Sequence, residues 1–209
     1  HSRTMANLAE EAAIAIGADS LLTRVGAYYH DLGKTIQPKY FIENLGLDET
    51  SPHEALEAHV SADAIMAHVV EGARILRRAG VPEPVVEFTY THHGTGIVEY
   101  FWHKCKEQGN AHGLTERDFR YPGQKPPNRE TAILMLMDSI EAASRTIEEP
   151  DREKFEKMID RILLTKLSQG QLDESGLSIE DLRTMRDTLI DVFVSLRHGR
   201  IKYPWQEQA

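Results

Sequence analysis

The apolar residues of this chain recur with the period of an α-helix along most of its length. In the first 17 residues, Met5, Leu8, Ala12 and Ile16 are spaced by three or four positions, which places them on one face of a helix. The same pattern predicts helices over 20–30, 61–79, 83–92, 98–107, 129–147, 150–167 and 178–199. No two segments read as a strand pair. We therefore expect an all-α fold, a bundle of about seven to nine helices around one core.

Two segments lack this period and are predicted to be loops. Residues 38–52 are bounded by prolines and include the stretch Tyr40-Phe41-Ile42. Residues 108–128 are rich in glycine and proline, which is typical of a long surface loop. We expect residues 1–209 to form a single domain, since no flexible linker divides the chain.

Composition excludes several classes of protein. The single cysteine, Cys105, rules out a disulfide framework and a zinc–cysteine cluster. A net charge of −9 argues against broad binding to nucleic acid polymers or anionic membranes. No apolar run approaches the roughly 20 residues of a membrane helix. Because the chain begins at His1 rather than at a methionine, we expect it to be part of a longer protein.

Several of the ten histidines stand at positions that suit metal ligands. The pair His30-Asp31 is predicted at the end of a helix, and His92-His93 repeats this arrangement just before a glycine. Adjacent side chains at a helix end can point into a common cleft, and imidazole and carboxylate groups suit iron, manganese or zinc. The candidate ligands are His1, His30, Asp31, His68, His92, His93 and Asp138.

Asp138 is the most informative of these candidates. It directly follows a run of five apolar residues, 133–137, that is predicted to be buried on all sides. A carboxylate there costs several kcal/mol unless it is paired or bound to metal. Arg145 lies seven residues further on and shares its helix face, so it would either neutralise Asp138 or hold a phosphate beside it.

The order of these residues resembles the HD-domain metal-dependent phosphohydrolase superfamily. The sequence is most similar to the HD domain of seven-transmembrane, PgpH-type cyclic di-AMP phosphodiesterases. The segments that carry this resemblance are HSRTMANLAEEAA, VGAYYHDLGK, YFIEN, THHGT, FRYPGQKP, MDSIEAASR and QGQLDE, in the expected order over most of the chain.

The resemblance implies two divalent metal ions, iron or manganese. His1, His30, Asp31 and Asp138 match the ligands of the first ion. His68, His92 and His93 match those of the second, and Asp31 bridges the two. The implied reaction is attack of a metal hydroxide on cyclic di-AMP to give linear pApA.

Further roles follow from the implied reaction. Lys34 and Arg145 would act with Asp31 as catalytic groups and bind the substrate phosphate. Tyr28 and Tyr121 are candidates to contact adenine or ribose. The resemblance also implies a membrane-tethered protein whose HD domain lies on the cytoplasmic face of the bacterial cell membrane; the domain itself would not contact the bilayer. An oligomer is compatible with the sequence.

Other functions fit parts of the same pattern. A related phosphohydrolase would act on cyclic di-GMP or another nucleotide. An HD-type di-iron oxygenase uses a similar fold, but it typically has fewer histidine ligands. A non-catalytic nucleotide sensor would be expected to have lost some of the ligands.

Overall fold

The computed structural model describes residues 1–46 and 49–197. Within these residues the all-α prediction is confirmed, with eight α-helices and five short 3₁₀ helices. The α-helices are α1 (Ser2–Ala15), α2 (Ser20–Tyr29), α3 (Ala58–Arg78), α4 (Glu83–Thr91), α5 (Glu99–Glu107), α6 (Arg129–Ser144), α7 (Arg152–Ser168) and α8 (Ile179–Arg197). None of the helices in this part of the chain is long and apolar enough to cross a bilayer. The predicted helix end near Gly199 falls outside the described residues.

Helix α6 forms the centre of the main core. Every residue from Thr131 to Met137 is fully buried, so all sides of this part of the helix are covered by protein. Helices α1, α2, α4 and α7 pack around α6, and α8 packs against α1 and α7. The prediction that the run before Asp138 is buried on all sides is therefore confirmed.

The helix ends differ from the predicted ones by a few residues. Asp19, rather than Ser20, caps α2, and its carboxylate accepts a hydrogen bond from the Leu22 amide. Helix α7 begins after the Asp151 cap instead of at Pro150, because Asp151 accepts a bond from the Lys154 amide. Short polar side chains satisfy free amides in the first turn of a helix, which fixes where the helix begins.

The predicted surface loop over 108–128 is wrong in part. It contains a 3₁₀ turn, Glu116–Phe119, and the Phe119 side chain is completely buried. The Phe119 carbonyl accepts a hydrogen bond from the Val98 amide, and the Tyr121 amide donates to the Gly96 carbonyl. These backbone bonds hold Tyr121 beside the segment that follows α4.

A close backbone contact fixes the segment after α2 against α3. Gly33 lies in the 3₁₀ helix Leu32–Ile36, and a Cβ atom at this position would lie 1.9 Å from the carbonyl oxygen of His68. It would also lie 2.7 Å from the Gly72 amide. Only glycine permits this approach, since neither obstacle is a flexible side chain.

We predict that Gly33→Ala lowers the free energy of unfolding by about 2–3 kcal/mol, because the backbones must separate. Denaturant unfolding measures the loss. Gly46→Ala is the matched control, since its Cβ would meet only the Glu49 side chain at 3.6 Å. Equal stability of the two variants would contradict the close contact.

Candidate metal centre

The structure brings together all seven residues that the sequence singled out as metal ligands. His30 and Asp31 follow the last turn of α2, and His92 and His93 follow α4. The other three come from separate helices: His1 caps α1, His68 lies within α3 and Asp138 lies within α6. Helix ends let the adjacent pairs turn into the same space.

The carboxylate of Asp31 lies in the middle of this group. Its Oδ2 atom is 3.2 Å from Nε2 of His30 and 3.8 Å from Nε2 of His1. Its Oδ1 atom is 3.5 Å from Nε2 of His68 and 3.6 Å from Nε2 of His92. The two oxygens thus face two different sets of imidazoles.

Asp138 occupies the opposite side of the group. Its Oδ1 lies 3.2 Å from Nε2 of His1 and 3.9 Å from Nε2 of His30, and its Oδ2 lies 3.9 Å from Nδ1 of His93. The ligand atoms of His1, His30 and Asp31 lie within 4.8 Å of one another, as do those of His68, His92 and His93. These two trios are arranged like adjacent metal sites that share carboxylates.

Three of the imidazoles are oriented by their own helices. The Nδ1–H groups of His30, His68 and His92 donate to the carbonyls of Ala27, Ile65 and Thr89, each three residues earlier. A carbonyl oxygen can only accept, so Nδ1 carries the proton and the Nε2 lone pair faces the centre. Such bonds fix the tautomer and orientation of metal-binding histidines.

His1 is oriented by a side chain instead. Its Nδ1–H donates to Oε2 of Glu141 at 2.7 Å, and the other oxygen of Glu141 accepts from Nε of Arg145 at 2.9 Å. Glu141 is 3% exposed. Of the two alternatives for Arg145, neutralisation of Asp138 is therefore wrong, because Arg145 pairs with Glu141, one turn away along the helix. The other alternative, binding of a phosphate, stays a prediction. Nothing in the sequence indicated that Glu141 would hold His1.

The donor set fits divalent metal ions. Nε2 of His30 and Oδ1 of Asp31 are buried without a hydrogen-bond partner. Nε2 of His68 lies 3.2 Å from Nε2 of His92, and both atoms present lone pairs. Buried lone pairs that face one another repel unless a cation lies among them. Imidazole and carboxylate donors suit iron, manganese and zinc.

The pKa values of the histidines differ according to their surroundings. Burial, aided by neighbouring imidazoles, keeps the pKa of His92 far below its usual value, and burial lowers the pKa of His93 to about 3. These rings are neutral at physiological pH, the form that binds metal. The hydrogen bond to Asp138 raises the pKa of His1 to about 9, so a metal ion there would replace a proton. Burial opposes the ionisation of Asp31, but attraction to the His30 ring in its protonated form, and to the Lys34 ammonium group, outweighs burial and lowers the pKa of Asp31. A metal ion bound at Nε2 of His30 would replace that proton.

A cleft of about 410 Å³ opens beside the centre. Lys34 lines it, and its ammonium group lies 2.8 Å from Oδ2 of Asp31 and 2.7 Å from Oε1 of Glu43. Arg145 also lines the cleft and is half exposed. The full lining comprises His1, Ser2, Asp31, Lys34, Thr35, Pro38, Glu43, Asn44 and Arg145.

The two tyrosines predicted to bind substrate do not line this cleft. Tyr28 is 43% exposed, and its hydroxyl accepts a hydrogen bond from Arg24 on the same helix. The Tyr121 ring stacks on His93, with centroids 4.1 Å apart and planes inclined by 22°. This stacking supports the His93 ring. Nothing in the sequence indicated the contact between these two rings.

Lys166 on α7 is a further cation that sequence reasoning missed. It lines a groove between α6 and α7 together with Ser139. Burial lowers the pKa of Lys166, and the negative charge of Asp138 partly opposes that effect. A single lysine in the last turn of an amphipathic helix gives no sequence signal for this position.

Comparison with known proteins agrees with the geometry. The family model described as "HD domain" matches residues 1–143. The chain belongs to the HD domain family. Relatives include the cyclic-di-AMP phosphodiesterase PgpH of Bacillus subtilis (strain 168), 44% identical over 205 residues, and that of Listeria monocytogenes serotype 1/2a (strain 10403S), 43% identical over 204 residues. These alignments cover 98% of this chain, which spans 28% of the length of either relative.

Solved structures show the same HD fold. The crystal structure of the L. monocytogenes PgpH HD domain in complex with cyclic-di-AMP superimposes with a TM-score of 0.90 at 42% identity. The match covers 97% of this chain and 92% of that one. The predicted resemblance is thus confirmed.

We predict that Glu141→Gln weakens metal binding by about 10- to 100-fold, because an amide orients His1 less firmly than a carboxylate. Titration of the metal-free domain with Mn²⁺ or Fe²⁺ measures the affinity. Glu148→Gln, at an exposed glutamate just after α6, is the control. Unchanged affinity in the Glu141 variant would show that His1 does not depend on this contact.

Proposed function

We propose that this HD domain is a metal-dependent phosphodiesterase that hydrolyses cyclic di-AMP to linear pApA. The observation that carries the proposal is the set of five imidazoles and two carboxylates beside a cleft lined by Lys34 and Arg145. Two relatives are named cyclic-di-AMP phosphodiesterase, and a solved relative is a complex with that dinucleotide. The longer protein would hold the domain at the cytoplasmic face of the membrane.

The seven residues would hold two divalent ions. His1, His30, Asp31 and Asp138 would bind the first, and His68, His92 and His93 the second. Asp31 would bridge them, since its oxygens face different imidazoles. Iron or manganese suits these donors. Such ions act as Lewis acids on a phosphodiester and activate water as a nucleophile at neutral pH.

The cleft residues would bind and orient the phosphate. Lys34 is held in place by Asp31 and Glu43, and its ammonium group can donate to a non-bridging phosphate oxygen. Glu141 occupies Nε and one terminal nitrogen of Arg145, which fixes the guanidinium at the cleft edge. Cations fixed in advance stabilise the charge that develops on the transferring phosphate.

Residues around the ligands would keep the site ordered. The Tyr121 ring covers one face of His93, and backbone carbonyls hold His30, His68 and His92. A site held within about 0.5 Å of its productive geometry does not need to reorganise when substrate binds. Contact of Tyr28 or Tyr121 with the nucleoside stays a prediction.

The activity is tested by incubating the metal-loaded domain separately with cyclic di-AMP, cyclic di-GMP and pApA. We expect pApA to form from cyclic di-AMP and to accumulate. Equal turnover of the two cyclic dinucleotides would contradict the assignment of substrate. Oxygen consumption without phosphodiester hydrolysis would favour the oxygenase reading, and binding without turnover would favour a sensor.

We predict that Asp31→Asn lowers kcat by about a thousandfold or more, because the bridging carboxylate is lost. Its metal content should fall in parallel, as measured by elemental analysis. Asp63→Asn is the matched control, since Asp63 is an exposed aspartate on α3. Full activity in the Asp31 variant would rule out this centre as the catalytic one.

We predict that Lys34→Gln lowers kcat/KM by about 10- to 100-fold, because one cation is removed from the phosphate. Steady-state kinetics would show the loss while metal content is retained. Lys39→Gln removes an exposed lysine that pairs with Glu49. This control variant should leave both kcat/KM and metal content unchanged. Equal kinetics in both variants would exclude Lys34 from phosphate binding.

A further inference from the structure

A second group of metal-binding side chains lies outside the centre described above. It consists of Glu57, His59 and His112, each of which offers one ligand atom within 4.8 Å of the other two. Oε2 of Glu57 is 3.3 Å from Nδ1 of His59 and 3.0 Å from Nε2 of His112. Two imidazoles are thus directed at a single carboxylate oxygen.

The two separations from Glu57 are compatible with a tetrahedral zinc site. Zinc binds imidazole nitrogen and carboxylate oxygen at about 2.0–2.2 Å, so neighbouring ligand atoms lie about 3.4 Å apart. The two measured contacts to Glu57 are within about 0.4 Å of that value. Two histidines and one glutamate with an open fourth position form a known zinc ligand set.

Hydrogen bonds hold the backbone segments that carry these residues. Glu57 is the N-cap of α3 and His59 lies in its first turn. His112 lies in a turn that the Asn110 side chain closes, since its amide donates to the Leu114 carbonyl and its oxygen accepts from the Leu114 amide. The ligands therefore come from two parts of the chain that are each held by their own hydrogen bonds.

A cavity of about 350 Å³ adjoins the group. Its lining includes all three side chains together with Glu54, so a second carboxylate adds negative charge. The cavity leaves room for water at the fourth position of a zinc ion. Its walls come from the start of α3, the end of α5 and the turn that carries His112.

We propose that Glu57, His59 and His112 bind a divalent transition-metal ion of the zinc class. The ion links the start of α3 to the turn after α5 and takes no part in phosphodiester hydrolysis. A set of two imidazoles and one carboxylate favours zinc over magnesium or calcium, because those two ions prefer a larger number of oxygen ligands. Helix α3 also carries His68, so the ion would secure the outer end of a helix that reaches the catalytic centre.

The experiment compares the zinc content of the wild-type domain with that of His59→Ala and His112→Ala. Each protein is equilibrated with the same excess of Zn²⁺, desalted and analysed for metal per chain. We expect both variants to hold one Zn²⁺ fewer per chain than the wild type. The zinc-dependent rise in melting temperature should also shrink, since metal binding stabilises the folded state.

His103→Ala is the matched control, because His103 is 64% exposed and its only described carboxylate neighbour is Glu99, at 4.0 Å. This variant should keep the wild-type zinc content. Equal zinc content in all four proteins would overturn the proposal and leave the group as a hydrogen-bonded cluster. Cyclic di-AMP hydrolysis by the manganese-loaded variants should equal that of the wild type, which separates this test from that of the catalytic centre. A loss of activity in both ligand variants, with normal folding, would contradict the structural role.

Discussion

The structure is organised around the carboxylate of Asp31. Four imidazole nitrogens lie within 4 Å of its two oxygens, and they belong to α1, α2, α3 and the segment after α4. A carboxylate in this position contacts side chains from four separate segments of the chain, while Asp138 on the buried helix α6 lies on the opposite side of the group. So many polar groups are stable in the interior only when each is paired or bound to a cation. The packing of α6 and the chemistry of the centre therefore depend on the same contacts.

The overall charge of the chain and the charge of the site have opposite signs. A protein with a net charge of −9 repels anions at long range, yet the cleft presents Lys34 and Arg145. Each of these cations is held by a carboxylate, Lys34 by Asp31 and Arg145 by Glu141. Metal ions at the centre would make the local charge positive. With metal bound, the site would attract a small phosphodiester at short range, while the net negative charge of the chain would repel a long polyanion.

The sequence predicted the helices, because the apolar residues of each recur at local spacing. The residue types of the seven candidate ligands are also visible in single segments, but their grouping around two metal ions was implied by the family resemblance and not by spacing. The sequence could not predict contacts between distant segments. The bond from His1 to Glu141 spans 140 positions, and the burial of Phe119 depends on how α3 and α5 enclose a loop. The position of Lys166 near Asp138 likewise depends on the packing of α7 against α6. Helix ends were displaced where a capping side chain, such as Asp19, competes with its neighbours.

The way in which the imidazoles are held has a consequence for how the family can vary. His30, His68 and His92 are oriented by main-chain carbonyls three residues earlier, and every amino acid provides such a carbonyl. The side chains at positions 27, 65 and 89 can therefore be substituted without loss of these hydrogen bonds, provided that the helix and its packing are preserved. His1 is oriented instead by the side chain of Glu141 on α6, which only an acidic or similarly polar residue can replace. Among members of the family, substitutions that alter the centre should therefore occur first at the contact between His1 and Glu141, where α1 meets α6.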